Sequence, residues 1–267
     1  MEQQDYKLRI ACLNLGFSIM SNVVSGSEAI FVEKCQLEYP KNKGWSNSTK
    51  KISHCSFNAT KFLSDYDLFA VQEVNEKYKD VFFETIRAQR MDKNFKFLFS
   101  KYHSQTSIAI GYNSDVTGPA IELTRDMKLS SKTDSRTIQL VWFEKSKLLF
   151  INLHAPHNIN LKRVIEETCR SVKLINNPDR IIMCGDFNDS NGKLINESIN
   201  IFNKELRIPF GNEAPKTCCA DVGYFYPGDY FLDSKYYRKN IYFGLPVDYD
   251  RDSNLLSDHD PIVFIEF

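Results

Sequence analysis

Short apolar runs that stop abruptly at a carboxylate, an amide or a histidine are the feature of this sequence that most restricts its fold. IACL runs into Asn14, FAV into Gln72-Glu73, FINL into His154 and IIMCG into Asp186-Phe187-Asn188, while Ser257-Asp258-His259 stands directly before PIVFIEF (261–267). Apolar runs this short, bounded by turn residues, read as buried strands. Polar groups at their ends are tolerated only where they are paired, hydrated or metal-bound, and strand ends in layered α/β folds are where residues far apart in sequence meet. Each cluster alone has an ordinary explanation. Asn14 suits a turn, Gln72-Glu73 a helix start, His154 a hydrogen-bonded core position, Asp186 and Asn188 an Asx turn, and Asp258 a cap before the last strand. All of them together, each on an apolar strand, point to one shared site.

The rest of the chain supports a layered domain. Strands are expected over 8–15, 68–74, 95–101, 107–113, 138–144, 148–154, 180–188, 230–237 and 261–267, with the 138–144 and 148–154 pair forming a hairpin across KSK. Helical spacing marks 57–67, 78–89, 161–175 and 191–206. Several strands follow one another with no helix between them, so the pairing is expected to be mixed, in an α/β or α+β arrangement. Residues 16–56 are rich in Ser, Asn and Lys and read as a long inserted loop with one helix around 27–38. The 267 residues carry no repeat and no low-complexity linker, which favours a single domain over 1–267.

Composition removes several function classes. Thirty-four basic residues balance 34 acidic ones, so no global field draws the chain to a polyanion and a nucleic-acid partner would need a local patch. No apolar run approaches the roughly 20 residues of a membrane span. The opening MEQQDYKLRI lacks a basic-then-apolar leader, so a soluble intracellular protein, cytoplasmic or nuclear, is expected. Nothing signals an obligate protein partner. The seven cysteines include no CxxC pair and are expected as reduced thiols, with Cys12 and Cys184 serving as small hydrophobes inside strands. A redox or metal role for the adjacent Cys218-Cys219 pair stays open.

The donor types at the strand ends narrow the chemistry. Asn14, Glu73 and Asp258 offer oxygen, the ligand Mg²⁺ prefers, with Mn²⁺ as its substitute, and no Cys/His spacing suits zinc. Few carboxylates with open positions is the arrangement used for phosphoester chemistry. His154, Asp186, Asn188 and His259 can move protons and donate hydrogen bonds.

The ordered set LNLG, VQEV, INLHAPHN, CGDFND, GDYFLDS and LSDHDP resembles the endonuclease/exonuclease/phosphatase superfamily, the deoxyribonuclease-I-like fold, across Asn14 to Pro261. The resemblance implies a four-layered α/β sandwich with two central mixed sheets and helices outside, and a divalent-metal phosphodiesterase or phosphatase. By motif, Asn14 and Glu73 match metal positions. Asp258 matches an aspartate that can bind metal beside the catalytic histidine, His259, and Asp229 matches the aspartate paired with that histidine. Asp186 and Asn188 match the residues that activate and position the attacking water, and His154 one that contacts the phosphate or helps protonate the leaving group. The general base is Asp186 or His259, with Asp186 favoured. Two departures stand out: Leu13 replaces a frequent Trp before the first Asn, and Gly228 replaces a basic residue before Asp229.

Fold does not fix substrate. SKYYRKNIYF (234–243) interleaves basic and aromatic residues, as surfaces that track a phosphate backbone do, and KNKGWSNSTKK (41–51) adds four lysines beside Trp45. Lys235, Arg238 and Lys239, with His157 in the loop after His154, are therefore candidate substrate contacts, although a solvated loop and a half-buried strand explain them equally. The favoured reading is a nuclease or other nucleic-acid-processing phosphodiesterase. The alternatives are an enzyme acting on a small nucleotide, a tyrosyl-DNA adduct or a lipid headgroup and, more distantly, a non-catalytic binding scaffold.

Overall fold

In the computed structural model, the residues described are 7–16, 19–20, 35, 52–90, 94–101, 106–124, 127–130, 135–157, 160–174, 177–189, 197–209, 217–218, 228–236, 240–249 and 256–267. In chain order the elements are β1 (Leu8–Asn14), α1 (His54–Ser64), β2 (Leu68–Asn75), α2 (Lys79–Gln89), β3 (Phe95–Lys101), β4 (Thr106–Asn113), α3 (Ser114–Thr117), β5 (Ala120–Glu122), β6 (Lys128–Ser130), β7 (Ser135–Phe143), β8 (Leu148–His154), α4 (Leu161–Arg170), β9 (Arg180–Asp186), β10 (Ile199–Ile201), β11 (Lys204–Leu206), β12 (Asp229–Asp233), β13 (Ile241–Gly244) and β14 (Ile262–Glu266). They build two six-stranded sheets. One has the order β13-β14-β1-β2-β4-β3, and the other is β12-β9-β8-β7-β5 with β6 added on β7. Both are mixed: β1 runs parallel to β2 and β8 parallel to β9, while the other neighbours are antiparallel.

The sheets face each other across an apolar layer that includes Ile10, Cys12, Phe150, Ile182, Cys184 and Phe264. On the outer face of the first sheet, Ala11, Leu13 and Phe69 pack with Ala59 and Leu63 of α1 and Phe82 and Ile86 of α2. On the outer face of the second, Ile151 and Met183 pack with Ile165 and Cys169 of α4. Central strands are thus buried on both sides, which is why they read as continuous apolar runs rather than alternating ones. The result is the four-layered α/β sandwich expected from the sequence.

Three expectations fail locally. The helix over 191–206 is not formed where the structure describes it, because 199–206 is a hairpin. Ile199, Ile201 and Leu206 bury against the α4 side, and the connecting Phe202 and Asn203 both have positive φ (48° and 60°), as the tightest hairpin turns require. The strand at 230–237 stops at Asp233 and turns over Ser234–Tyr236. The expectation of reduced thiols fails for Cys35 and Cys55, which form a disulfide with Cα atoms 5.3 Å apart, within bridging reach, and Cys218 is also disulfide-bonded. Cys12, Cys169 and Cys184 are free and buried, as small hydrophobes should be. The helix around 27–38, apart from Cys35, and the lysine-rich stretch 41–51 lie outside the described residues.

At one end of the sandwich a buried ion cluster ties the sheets together. Arg180, at the start of β9, donates from Nε and Nη2 to the two carboxylate oxygens of Asp233 at 2.9 and 2.6 Å and from Nη1 to Glu266 of β14. The polar strand ends recognised in the sequence all lie at the other end.

Candidate active site

Strand direction gathers the site. β1, β2, β8 and β9 arrive at this end with their C-termini, and β12 and β14 leave it with their N-termini. Register then places Asn14 beside Gln72, His154 beside Asp186 and Asp186 beside Asp229. Two local devices aim the side chains. The β2–β4 pairing slips between Val71 and Val74, and Glu73 sits in that bulge at φ 54°. Bulges re-aim side chains, and a non-glycine residue held there costs about 1–3 kcal/mol, a strain that gathers at functional sites. Just before Asp186, Gly185 has φ 149°, and a Cβ there would lie 1.9 Å from the Leu153 carbonyl oxygen. Only glycine lets β8 and β9 come close enough to set His154 against Asp186.

The resulting cluster is buried and rich in carboxylate. Donor atoms of Glu73, His154 and Asp186 lie within 4.8 Å of one another, and so do those of Asp186, Asp229 and His259, so Asp186 joins the two groups. His154 Nε2 stands 3.7 Å from both Glu73 Oε1 and Asp186 Oδ2. Asn14 donates from Nδ2 to Asp186 Oδ2 at 2.9 Å and, more weakly, to Glu73 Oε1 at 3.4 Å, while its Oδ1 accepts the Gly16 N–H at 3.1 Å. Its amide is thus fixed with the nitrogen toward the carboxylates. Asn188 (φ 48°) donates its backbone N–H to Asp186 Oδ1 at 2.9 Å and Nδ2 to the Ala155 carbonyl at 2.7 Å.

On the other side of Asp186, His259 and Asp229 form a dyad with Nδ1 2.9 Å from Oδ2. Burial disfavours the His259 cation, but the charges of Asp229, Asp258 and Asp186 and the hydrogen bond its ring donates to Asp229 outweigh it and lift the imidazole well above its ordinary range. Burial pushes Asp186 up, Asp229 adds to that, and the two histidines partly offset it. Burial lowers His154 despite the opposing pull of Asp186 and Glu73, which leaves it the less basic of the two rings. Asp258 belongs to neither close group. Its Oδ1 accepts from Ser257 Oγ at 3.0 Å, and a Cβ on Gly16 would stand 2.8 Å from it.

The substrate-contact candidates scatter. His157 is exposed, just beyond β8. Lys235 is not at this end. β12 enters at Asp229 and leaves at Asp233, and Lys235 donates its backbone N–H to Asp233 Oδ1 and lines a cavity of about 270 Å³ beside Arg180 and Glu266. Placing it near the site from the sequence overlooked that a strand beginning at the site must exit at the opposite end. Arg238 and Lys239 lie outside the described residues.

Two participants, Asn152 and Thr217, escaped the sequence reading, and two others, Gln72 and Cys218, take contacts it did not assign. Gln72 Nε2 donates to Asn152 Oδ1 at 2.7 Å, a buried bridge between the two sheets beneath the site. Thr217 hydrogen-bonds Asp229, and the Sγ of Cys218 lies 3.4 Å from His259 Nε2. Asn152 could have been noticed as a polar residue inside an apolar strand. Thr217 sits in no apolar run or motif and carries no such signal.

No family model matches the sequence, and no curated protein does. Solved structures resemble the chain in fold. An endonuclease/exonuclease/phosphatase family protein from Leptotrichia buccalis superposes with a TM-score of 0.62 over 97% of this chain and all of its own, at 16% identity. A truncated TDP2 from Caenorhabditis elegans superposes with a TM-score of 0.56 over 97% of each chain at 12% identity. The chain has the deoxyribonuclease-I-like fold. An endonuclease/exonuclease/phosphatase family protein from Bacteroides thetaiotaomicron shares that fold over 97% of this chain and 98% of its own, with a TM-score of 0.53 and 17% identity. Among the described residues, no helix is long and apolar enough to cross a membrane.

Proposed function

We propose that this chain is a divalent-metal-dependent phosphoester hydrolase of the endonuclease/exonuclease/phosphatase type, acting on a nucleic-acid phosphodiester. The observation that carries the reading is the convergence at the strand ends of buried Asp186 and Asp229 and two buried histidines with the half-buried Glu73. Such a set is expensive to bury and is retained where the chemistry needs it. A non-catalytic scaffold has no use for it.

The residues fit a hard cation. Their donors are mainly carboxylate oxygens, their charge exceeds that of the one raised histidine, and the buried Asp229 Oδ1 has no hydrogen-bond partner among the described residues. Glu73 would hold the ion, with Asn14 bracing it against the neighbouring Asp186 and Asp258 close by. When bound, Mg²⁺ or Mn²⁺ would neutralise charge on the phosphate oxygens.

The chain's own groups supply the remainder. Asp186, made more basic by burial and by Asp229, accepts the proton of the attacking water. Asn188, whose Nδ2 is tied to Ala155, keeps its side-chain oxygen for orienting that water. The water oxygen bonds to phosphorus as the ester oxygen departs. His259, its cation favoured by the neighbouring carboxylates and steadied through Nδ1 by Asp229, donates from Nε2 to a non-bridging oxygen, a charge-assisted bond that strengthens as charge develops there. His154, less basic, acts as a neutral hydrogen-bond donor. The fold by itself does not fix the substrate, and the nucleic-acid class is taken from the names that the endonuclease/exonuclease/phosphatase neighbours carry.

Turnover of bis-p-nitrophenyl phosphate tests the reaction. Activity should require Mg²⁺ or Mn²⁺ and vanish in EDTA, and full hydrolysis in excess EDTA would overturn the metal assignment. Single-stranded, duplex, abasic and 5′-phosphotyrosyl DNA, tested beside a cyclic dinucleotide and sphingomyelin, then test the substrate class. Preference for either of the last two would replace it.

A further inference from the structure

We infer that Thr217 is a positioning residue for the Asp229–His259 dyad, an inference that rests on the hydrolase reading above. Thr217 is fully buried, and it meets Asp229 through its side chain and the residue after His259 through its backbone. Its hydroxyl donates to Asp229 Oδ2 at 2.6 Å, the same oxygen that pairs with His259 Nδ1. That hydroxyl also accepts the Asp229 backbone N–H at 3.1 Å, which closes a small ring around the aspartate. The Thr217 carbonyl accepts the N–H of Asp260, the residue next to His259, at 2.9 Å. One residue thus clamps the aspartate through its side chain and the histidine loop through its backbone.

The other carboxylate oxygen makes the clamp consequential. Asp229 Oδ1 is buried without a hydrogen-bond partner among the described residues, so both donors to this carboxylate converge on Oδ2. Among the described residues, without the threonine hydroxyl only the histidine would hydrogen-bond this carboxylate and resist its rotation. The ring would then lose the fixed partner that orients Nε2 toward the reacting phosphate. Groups that orient a catalytic side chain act on turnover more than on substrate binding, because they set geometry needed only in the transition state.

Thr217→Val removes the hydroxyl and nearly keeps the shape, while Thr217→Ser restores the hydroxyl. With bis-p-nitrophenyl phosphate and Mg²⁺, the valine variant should lose about tenfold in kcat at a KM within about twofold of wild type, and serine should recover most of the loss. In an Asp229→Asn background the same substitution should cost less than about twofold, since its route of action is already broken. The inference is overturned if His259→Ala abolishes turnover while Thr217→Val leaves kcat unchanged, if serine gives no rescue, or if the loss is as large in the Asp229→Asn background. Should wild type show no phosphodiester turnover, the hydrolase reading fails and nuclear magnetic resonance still decides this one. The low-field Nδ1 proton of His259 should be present in wild type and the serine variant and lost in the valine variant. An unchanged resonance overturns the inference. Thr217→Ala takes the place of valine if that chain does not fold.

Discussion

The two ends of the sandwich both bury charge, and they do so differently. At one end Arg180 spreads its planar guanidinium over Asp233 and Glu266 and lies 5.1 Å over the Phe264 ring. Each carboxylate there takes an N–H from the same cation. At the other end Glu73, Asp186, Asp229 and Asp258 gather around one raised histidine and one lowered histidine. The first cluster is complete in itself and joins the sheets. Among the described residues the second is short of positive charge, with a strained Glu73 and an Asp229 oxygen that finds no hydrogen-bond partner. Buried pairing of the first kind holds a fold together, whereas a buried surplus of one sign marks a place where something else must bind.

That contrast can be broken at either end. Asp186→Asn and His259→Ala should each lower kcat by at least about a thousandfold, ~4 kcal/mol in barrier, while thermal unfolding stays unchanged or rises for Asp186→Asn because a crowded charge is gone. Losses under about tenfold from both would refute the assigned roles. Arg180→Met should do the reverse. It strands two buried carboxylates and should cost about 3 kcal/mol in denaturant unfolding, with the turnover of the folded fraction unaltered. Unfolding within about 1 kcal/mol of wild type would show that the far cluster does not hold the sheets. A smaller effect should come from the metal: millimolar Mg²⁺ should raise the Tm of wild type by a few degrees and leave Glu73→Ala unmoved, since a bound ion stabilises only the state that binds it. An equal shift in both proteins would place binding elsewhere. Lys235→Ala, at the complete end, should change stability and turnover by no more than about 0.5 kcal/mol each, and a KM effect confined to nucleic acid would bring that lysine back to the substrate.

How much of this was legible follows from where the information lies. Strands buried on both faces announce themselves as apolar runs, so the central strands β1, β2, β4, β8 and β9 and the polar residues at their ends could be read directly. The two mixed sheets followed from the motif resemblance. The 199–206 hairpin was missed because its turn, Phe202-Asn203, lacks the glycine that usually marks positive φ, and its few apolar residues fit either period. The bulge that aims Glu73 exists only in the pairing of β2 with β4, and no residue type encodes it locally. The error on Lys235 had a visible cause: Asp229 opens its strand and Lys235 follows it, so the strand separates them. Thr217 reaches Asp229 across 12 residues and no motif, so only the fold reveals it.

The central claim is that the charge surplus at the strand ends is completed by a divalent cation. Electron paramagnetic resonance of Mn²⁺ titrated into the metal-stripped chain tests it without relying on any substrate. The account expects saturable loss of the free-ion signal in wild type and in Arg180→Met at temperatures where that variant is folded, with the strongest site missing from Glu73→Ala and competed away by Mg²⁺. An unchanged free-ion signal in wild type, or an equal loss in Glu73→Ala, would contradict it.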